Sequence, residues 1–395
     1  MKSLQRQGCY ELLQITKFIT GNIIGHPSCP YLLNESQKST RIINNCLSKV
    51  SIRTVSTASI HHRKYGTVLL SPIQRTKYFD GHRALLFQQS MQSVKLFSTD
   101  TMCKNQSDVK ELSKFWTKMF EEEGVSEPQT SAELIIAHAL GKKMLHEVPP
   151  EYTVDLSTNL VIQELCQRRL QRVPVQYIIG EWDFHDLVLK MKEPVFIPRP
   201  ETEELADFVC DYIKSNNLQN GKFLDIGCGS GAISLHILNS FKTITGVAID
   251  KHHHACDLTK ENARHLGLNK RLNIHQINIF QKDTVEKLQE YLPFDVVISN
   301  PPYIPTLDID NLEPEVERYE SRDALNGGKD GLDVVRQILY LAPQFLSVGG
   351  QIWLEVYLDE PEMIKELVKE NKSIKYLTTL TDFTKRDRFC VLQVQ

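Results

Sequence analysis

Asn300-Pro301-Pro302-Tyr303 is the segment of this chain whose residue types speak most directly of chemistry. Two consecutive prolines stiffen the backbone and remove two N–H donors, leaving a surface rich in acceptors. Asn300 adds a side-chain carbonyl and Tyr303 a flat ring. Such a notch suits a planar NH2 on an sp2 centre. Its two N–H groups meet the Asn300 oxygen and the Pro301 carbonyl, and the ring stacks on the plane. An amide or aryl nitrogen is a poor nucleophile because its lone pair is delocalised. Fixing that lone pair in line with an electrophilic methyl recovers reactivity through orientation, and the acceptors stabilise positive charge as it develops on nitrogen. No strong base is required, since the proton becomes acidic once the methyl arrives. The plainer alternative is a proline-rich turn that only ends a strand.

A second constellation is Asp225-Ile226-Gly227-Cys228-Gly229-Ser230-Gly231-Ala232, followed by Asp250 19 residues after Gly231. Glycines here let the backbone turn tightly and approach a ligand without Cβ obstruction. A carboxylate at Asp250 can accept both hydroxyls of a ribose. The pattern also satisfies a dinucleotide fingerprint. Two features favour S-adenosylmethionine: an acid two residues before the first glycine, and a third glycine at Gly231 rather than at position 232.

These motifs need a scaffold that brings them together. From residue 221 onward, strand patterns at Phe223–Ile226, Thr245–Ile249, Leu272–Ile277, Phe294–Ser299, Gln351–Val356 and a closing pair near Tyr376–Leu380 and Phe389–Val394 alternate with helical periods. That order predicts an α/β fold: a doubly wound, mostly parallel seven-stranded sheet with helices on both faces. Ligands of such sheets bind outside the strands' carboxyl ends, where both motifs lie, with the fourth strand beside the first. Upstream, Leu112, Phe115, Trp116, Met119 and Phe120 form one helical stripe. Thr130 with Glu133 reads as a capping box whose helix Gly141 closes. Ile162, Leu165, Cys166 and Arg169 carry the helical period to about Arg172. Arg168, Arg169 and Arg172 read as a solvated, cation-favouring helix end. Residues 105–172 are thus a small helical domain. Extended pieces at Val175–Ile179, Phe184–Leu189 and Val195–Ile197 make 173–199 a β-hairpin linker, and Pro200 opens a helix at the start of a domain spanning 200–395.

Charge is unevenly spread. Residues 1–99 carry 13 lysines and arginines against three acids, and the remainder carries 33 against 46. An acid-poor, Ser- and Arg-bearing segment over 1–104 reads as an organelle-targeting leader, the alternative being a disordered basic tail for nucleic acid or acidic surfaces. No run approaches the ~18 apolar residues of a membrane span. The nine cysteines form no CxxC pair, which fits free thiols in a reducing compartment.

Asp225–Gly231, Asp250 and Asn300–Tyr303 resemble the class I amino-group methyltransferases. With Pro174–Gly180, Phe196–Glu203 and Ala324–Asp333, they resemble the HemK/PrmC family over about residues 105–395. The resemblance implies a class I S-adenosylmethionine-dependent fold that methylates N5 of the glutamine amide in the Gly-Gly-Gln loop of peptide-chain release factors. It implies that the small helical domain helps hold the protein substrate. It places Gly227, Cys228, Gly229, Ser230, Gly231 and Asp250 on the cofactor and Asn300, Pro301, Pro302 and Tyr303 on the glutamine, Asn300 touching both. With its basic leader the chain is most similar to mitochondrial members, which implies a monomeric enzyme of the mitochondrial matrix acting on a mitochondrial release factor.

Departures from the family pattern are local. Where the family often has Asp and then an aromatic near the adenine, Asn278, Ile279 and Phe280 stand here, and Asn278 can still bond the adenine amino group. Tyr319-Glu320-Ser321 lacks the family's proline, which predicts a looser loop. Glu313, Glu315 and Glu317 read as a solvated acidic loop. His252-His253-His254 lacks a further ligand at a definable spacing and reads as a helix cap, so no metal is expected. Three rival functions remain. A nucleic-acid base methyltransferase could use the same notch, but the acid excess beyond residue 99 disfavours direct nucleic-acid binding. An oxidoreductase leaves the notch without a task, and a non-catalytic cofactor-binding scaffold leaves it without a reaction.

Overall fold

The computed structural model describes residues 106–395, so the leader expected over 1–104 lies outside the described residues. The described chain opens with β1 (Gln106–Asp108) and α1 (Val109–Glu122), where the Asp108 carboxylate caps Lys110 and Glu111 N–H groups. Leu112, Trp116, Met119 and Phe120 are buried as the stripe predicts, and Phe115 is half-buried. In α2 (Pro128–Ala139) the expected capping box fails: Thr130 and Glu133 lie inside a helix that starts at Pro128. A proline already carries the φ of a first helical turn and needs no donor there, so it sets the start. Gly141 does end this segment, at φ +67°.

β2 (Thr153–Asp155) pairs with β1, and α3 (Leu156–Leu170) comes next. Its basic end is not solvated, contrary to the reading of Arg168, Arg169 and Arg172. Arg169 is 4% exposed, and Arg169 and Arg172 both grip Glu315 at 2.8 Å. Glu315, expected in a solvated loop, is buried too. Burial alone would raise its carboxyl, but the two guanidinium contacts outweigh that and hold it below the ordinary range. Nothing local in the sequence signals a pairing across this separation.

The span read as an extended linker begins instead with a short helix, α4 (Val175–Ile179). Pro174 precedes it and Gly180 ends it at φ +77°, while Val175, Tyr177 and Ile178 are buried, so tertiary packing overrides their strand propensity. β3 (Glu181–Phe184) and β4 (Leu187–Lys190) form a hairpin turned by His185-Asp186, which splits the single strand read over Phe184–Leu189. Val195–Ile197 is irregular, not a strand.

α5 (Pro200–Ser215) opens on Pro200 as expected. The sheet then builds from β5 (Lys222–Ile226), α6 (Ala232–Ser240), β6 (Thr245–Asp250), α7 (His253–His265), β7 (Leu272–Gln276), α8 (Thr284–Leu288) and β8 (Phe294–Ser299). Beyond these come β9 (Ile304–Pro305), α9 (Pro314–Tyr319), β10 (Asn326–Gly328), α10 (Asp333–Phe345), β11 (Leu346–Glu355), α11 (Glu360–Val368), β12 (Ile374–Thr381) and β13 (Asp387–Val394). The seven strands order as β12-β13-β11-β8-β5-β6-β7, with only β13 antiparallel to its neighbours. Alternate residues serve opposite faces: Phe223, Val296 and Ile298 join one core, and Leu224, Ile226 and Val297 the other. β8 lies beside β5, so the ends of the two strands that carry the motifs are neighbours. This is the doubly wound, class I methyltransferase architecture.

Candidate active site

One cavity takes in both motifs. On its first wall the chain leaves β5 and turns through Gly227, Gly229 and Gly231 at φ +81°, +55° and +86°. Gly227 and Cys228 donate backbone N–H groups to Ile249 O at 2.8 and 3.1 Å, tying the turn to β6. From α7, Thr259 Oγ1 donates to Gly229 O and Asn262 Nδ2 to Ser230 O, each at 2.9 Å. Gly227, Cys228, Gly229 and Ser230 line the cavity, whereas Gly231 does not. A Cβ at Gly231 would meet the Thr259 methyl at 2.9 Å, so this glycine permits the packing of loop on helix.

Asp225 is equally indirect. It is 1% exposed and accepts from Ser234 Oγ at 2.5 Å, which anchors the first turn of α6. Burial pushes its carboxyl up to about 6. Asp250 does line the cavity. Its Oδ2 accepts from Gly229 N at 3.2 Å and its Oδ1 from His252 N at 2.9 Å. Burial raises its carboxyl, and those two N–H groups work against the rise. The Cys228 thiol is held well above its usual range by its bond with Cys256 and by burial, so it is no activated thiolate.

The second wall is the notch. Ser299 Oγ donates to Ile226 O at 2.6 Å, cross-tying β8 to β5 just before the motif. Asn300, Pro301, Pro302 and Tyr303 all line the cavity. Asn300 Nδ2 donates to Thr202 Oγ1 at 3.1 Å, so the carbonyl arm of the same amide is turned away from Thr202. The Tyr303 ring lies 6.3 Å from that of Tyr357, the planes inclined by 26°, and burial raises its phenol. Behind the notch, β9 pairs with β10. A Cβ on Gly327 would meet Gly331 O at 2.3 Å and Pro302 O at 2.7 Å, and one on Gly331 would meet Tyr303 O at 2.5 Å. The glycines of this loop are therefore the seat on which the notch backbone rests.

Asn278, Ile279 and Phe280 all border the cavity, Ile279 with a side chain otherwise buried in the core. An aromatic face is thus present one residue later than the family pattern places it. Asn278 Oδ1 accepts from Phe280 N at 3.0 Å, and a carbonyl keeps a second lone pair for a ligand. The loop expected to loosen without proline is held instead. Ser321 N donates to Pro194 O at 2.9 Å, a bond that proline could not make, and Glu320 accepts from Ile197 N and from Arg199 Nη2 at 2.6 Å. His252 occupies the residue before α7 but makes no side-chain cap; its Nε2 lies 3.2 Å from Asp323. Among the described residues, the histidine and carboxylate side chains close enough to share a metal are His185, Asp207 and His236, with ligand atoms within 4.8 Å of one another, and none borders the cavity. The run Ile197–Glu203 carries two readings in the sequence, a rigid entry into the second domain and a wall of the active site, and Phe196, Pro198 and Thr202 do line the cavity. Nothing in the sequence singles out Thr202 within that run or gives Phe280 a role.

Residues 111–180 match the PrmC N-terminal domain and residues 204–312 the methyltransferase small domain. The human MTRF1L release factor glutamine methyltransferase is 41% identical over 293 residues, covering 71% of this chain and 85% of that protein. The release factor glutamine methyltransferase of Thermosynechococcus vestitus is 36% identical over 250 residues, covering 63% of this chain and 84% of its own. That of Rhodopirellula baltica is 31% identical over 293 residues, covering 72% and 96%. A glycine loop and the Asn300–Tyr303 segment line one cavity, an N-terminal helical segment matches as well, and the relatives are this similar: the chain belongs to the release factor glutamine methyltransferase family.

Proposed function

We propose that this enzyme transfers a methyl group from S-adenosylmethionine to N5 of the glutamine in the Gly-Gly-Gln loop of a mitochondrial class I release factor. The observation that carries this reading is the cavity shared by the glycine loop and the Asn300–Tyr303 notch. The cofactor suits the first wall. Backbone atoms border it at the glycines, and the acceptor-only Asp250 carboxylate keeps lone pairs for vicinal hydroxyls. Gly227, Cys228, Gly229, Ser230, Asp250 and Asn278 hold the nucleoside, and Gly231 acts by letting the loop pack. When bound, the cofactor supplies a methyl made electrophilic by a sulfonium sulfur.

The chain's own residues handle the other reactant. Asn300 Oδ1 and the Pro301 carbonyl accept the two N–H bonds of the glutamine amide, and Pro302 and Tyr303 wall it in. The carbon–nitrogen bond forms as the carbon–sulfur bond breaks, and the extra amide proton leaves to water. The acceptors bind the cationic nitrogen more tightly than the neutral one, which is where rate is gained. Residues 105–172 dock the protein substrate, 200–395 carry out the chemistry, and the basic 1–104 segment serves import into the mitochondrial matrix. Among the described residues no helix is long and apolar enough to cross a membrane. The acid excess beyond residue 99 speaks against nucleic acid as the substrate.

The test is incubation with isotope-labelled cofactor and purified candidate release factors, and then peptide mass spectrometry. One labelled methyl on the Gly-Gly-Gln glutamine is expected. Label on a nucleic-acid base, or none on any release factor, would overturn the assignment.

A further inference from the structure

Behind the notch, three side chains from three distant parts of the chain come together. Asn300, just past β8, donates from Nδ2 to Oγ1 of Thr202, in the first turn of α5. The Thr202 hydroxyl borders the carboxylate of Glu355, the last residue of β11, and can donate to it. Thr202 is 3% exposed and Glu355 1%, so water does not compete for these contacts. Glu355 Oε2 has no partner among the described residues, which makes this carboxylate an expensive group to bury.

The chemistry of the row gives it a direction. An asparagine amide is nearly symmetric in shape but not in function: one arm accepts and the other donates. Only the acceptor arm can take an N–H of a substrate amide, and a half-turn about χ2 would set NH2 against NH2. A threonine hydroxyl owns one proton and two lone pairs, while an ionised carboxylate can only accept. If Glu355 takes the Thr202 proton, Thr202 has only lone pairs left for Asn300. The asparagine must then present its NH2 to Thr202 and its oxygen to the cavity. We infer that Thr202 and Glu355 are positioning residues that lock the Asn300 amide in the orientation able to hold the glutamine nitrogen. This rests on the reading that Asn300 grips an amide NH2.

The lock also has a pH dependence. The charged and titratable groups around Glu355 are Arg388 on β13, Arg199 and Glu201 flanking the start of α5, and Tyr303 of the notch. Burial carries the Glu355 carboxyl up to about 7. When protonated it can donate to Thr202, which frees the threonine proton for Asn300 Oδ1 and permits the flipped amide.

Steady-state methylation of a release factor at varied pH, with separate measurement of cofactor affinity, tests this. Wild-type turnover comes first: no transfer at all would overturn the proposed function and not this inference in particular. Given wild-type activity, Thr202→Val should cut kcat on the order of thirtyfold with cofactor Kd within about twofold, by the scale of a lost transition-state hydrogen bond. Thr202→Ser, which keeps the hydroxyl, should recover kcat to within about threefold, and thermal melting of both variants checks that they fold. Glu355→Gln, whose amide both donates and accepts, should remove the rise of wild-type kcat through pH 7. Wild-type kcat in Thr202→Val, equal losses in the valine and serine variants, or an unchanged pH limb in Glu355→Gln would overturn the lock.

Discussion

The glycine loop and the Asn300–Tyr303 notch line one cavity, yet they are held in place in different ways. The loop is supported by nearby downstream chain: Ile249 and Asp250 at the end of β6, then Thr259 and Asn262 on α7. The notch is supported from afar. Thr202 lies 98 residues before Asn300, and the Gly327–Gly331 seat arrives only after an intervening excursion of chain. The wall at the glycine loop is assembled within one βαβα unit, whereas the wall at Asn300–Tyr303 draws on several distant segments.

That contrast can be broken from either side. Asn300→Ala should have the largest effect, a loss in kcat of about a hundredfold or more with cofactor affinity nearly unchanged, by comparison with the removal of one transition-state hydrogen bond. Asp250→Ala should do the converse, weakening cofactor binding by about tenfold while leaving kcat at saturation within about threefold. Equilibrium binding and saturation kinetics on the two variants decide it, and an Asn300→Ala enzyme that loses affinity instead of rate would merge the two walls.

Gly327→Ala sharpens the comparison. The new methyl meets two backbone carbonyls, neither of which can swing away, so the notch must shift. We expect about a tenfold fall in kcat and on the order of 1–3 kcal/mol of lost stability, as for overpacking elsewhere. Cofactor affinity should be spared.

The smallest effect on chemistry should come from Glu315→Gln. It removes the charge that Arg169 and Arg172 share and leaves Arg169 buried without it. Stability should fall by about 3 kcal/mol, seen as a lower Tm. Turnover with saturating release factor should change little, but the KM for that protein should rise, because the latch sets the helical segment against the residues beyond the notch. A KM that stays fixed would dissociate the helical segment from substrate binding.

Legibility in the sequence divides along the same line. The sheet, its strand order around β5 and β8, and the cavity position of Asp250 and Asn300 can be read from period, glycine spacing and the rule that ligands gather at strand ends. The errors lie where distant contacts override local signals. Val175–Ile179 has the β-branched and aromatic composition of a strand, but it lies between Pro174 and a left-handed Gly180 and buries its apolar side chains as a helix. Arg169 and Glu315 each look solvated in their own segments and are buried only because they meet each other. The Ile197–Glu203 run can be read as a wall of the site, but the part Thr202 plays within it cannot, because a threonine near a helix start usually serves that helix, and here its hydroxyl takes the Asn300 NH2.

The central claim is that the Asn300 oxygen and the Pro301 carbonyl hold a glutamine amide with its nitrogen turned toward the transferable methyl. A crystal structure of the enzyme with S-adenosylhomocysteine and a release-factor domain tests it most directly. The glutamine nitrogen should lie within about 3 Å of both oxygens, its remaining face toward the cofactor sulfur. A glutamine seated elsewhere in the cavity, or an Asn300 amide whose NH2 points at the substrate, would contradict it.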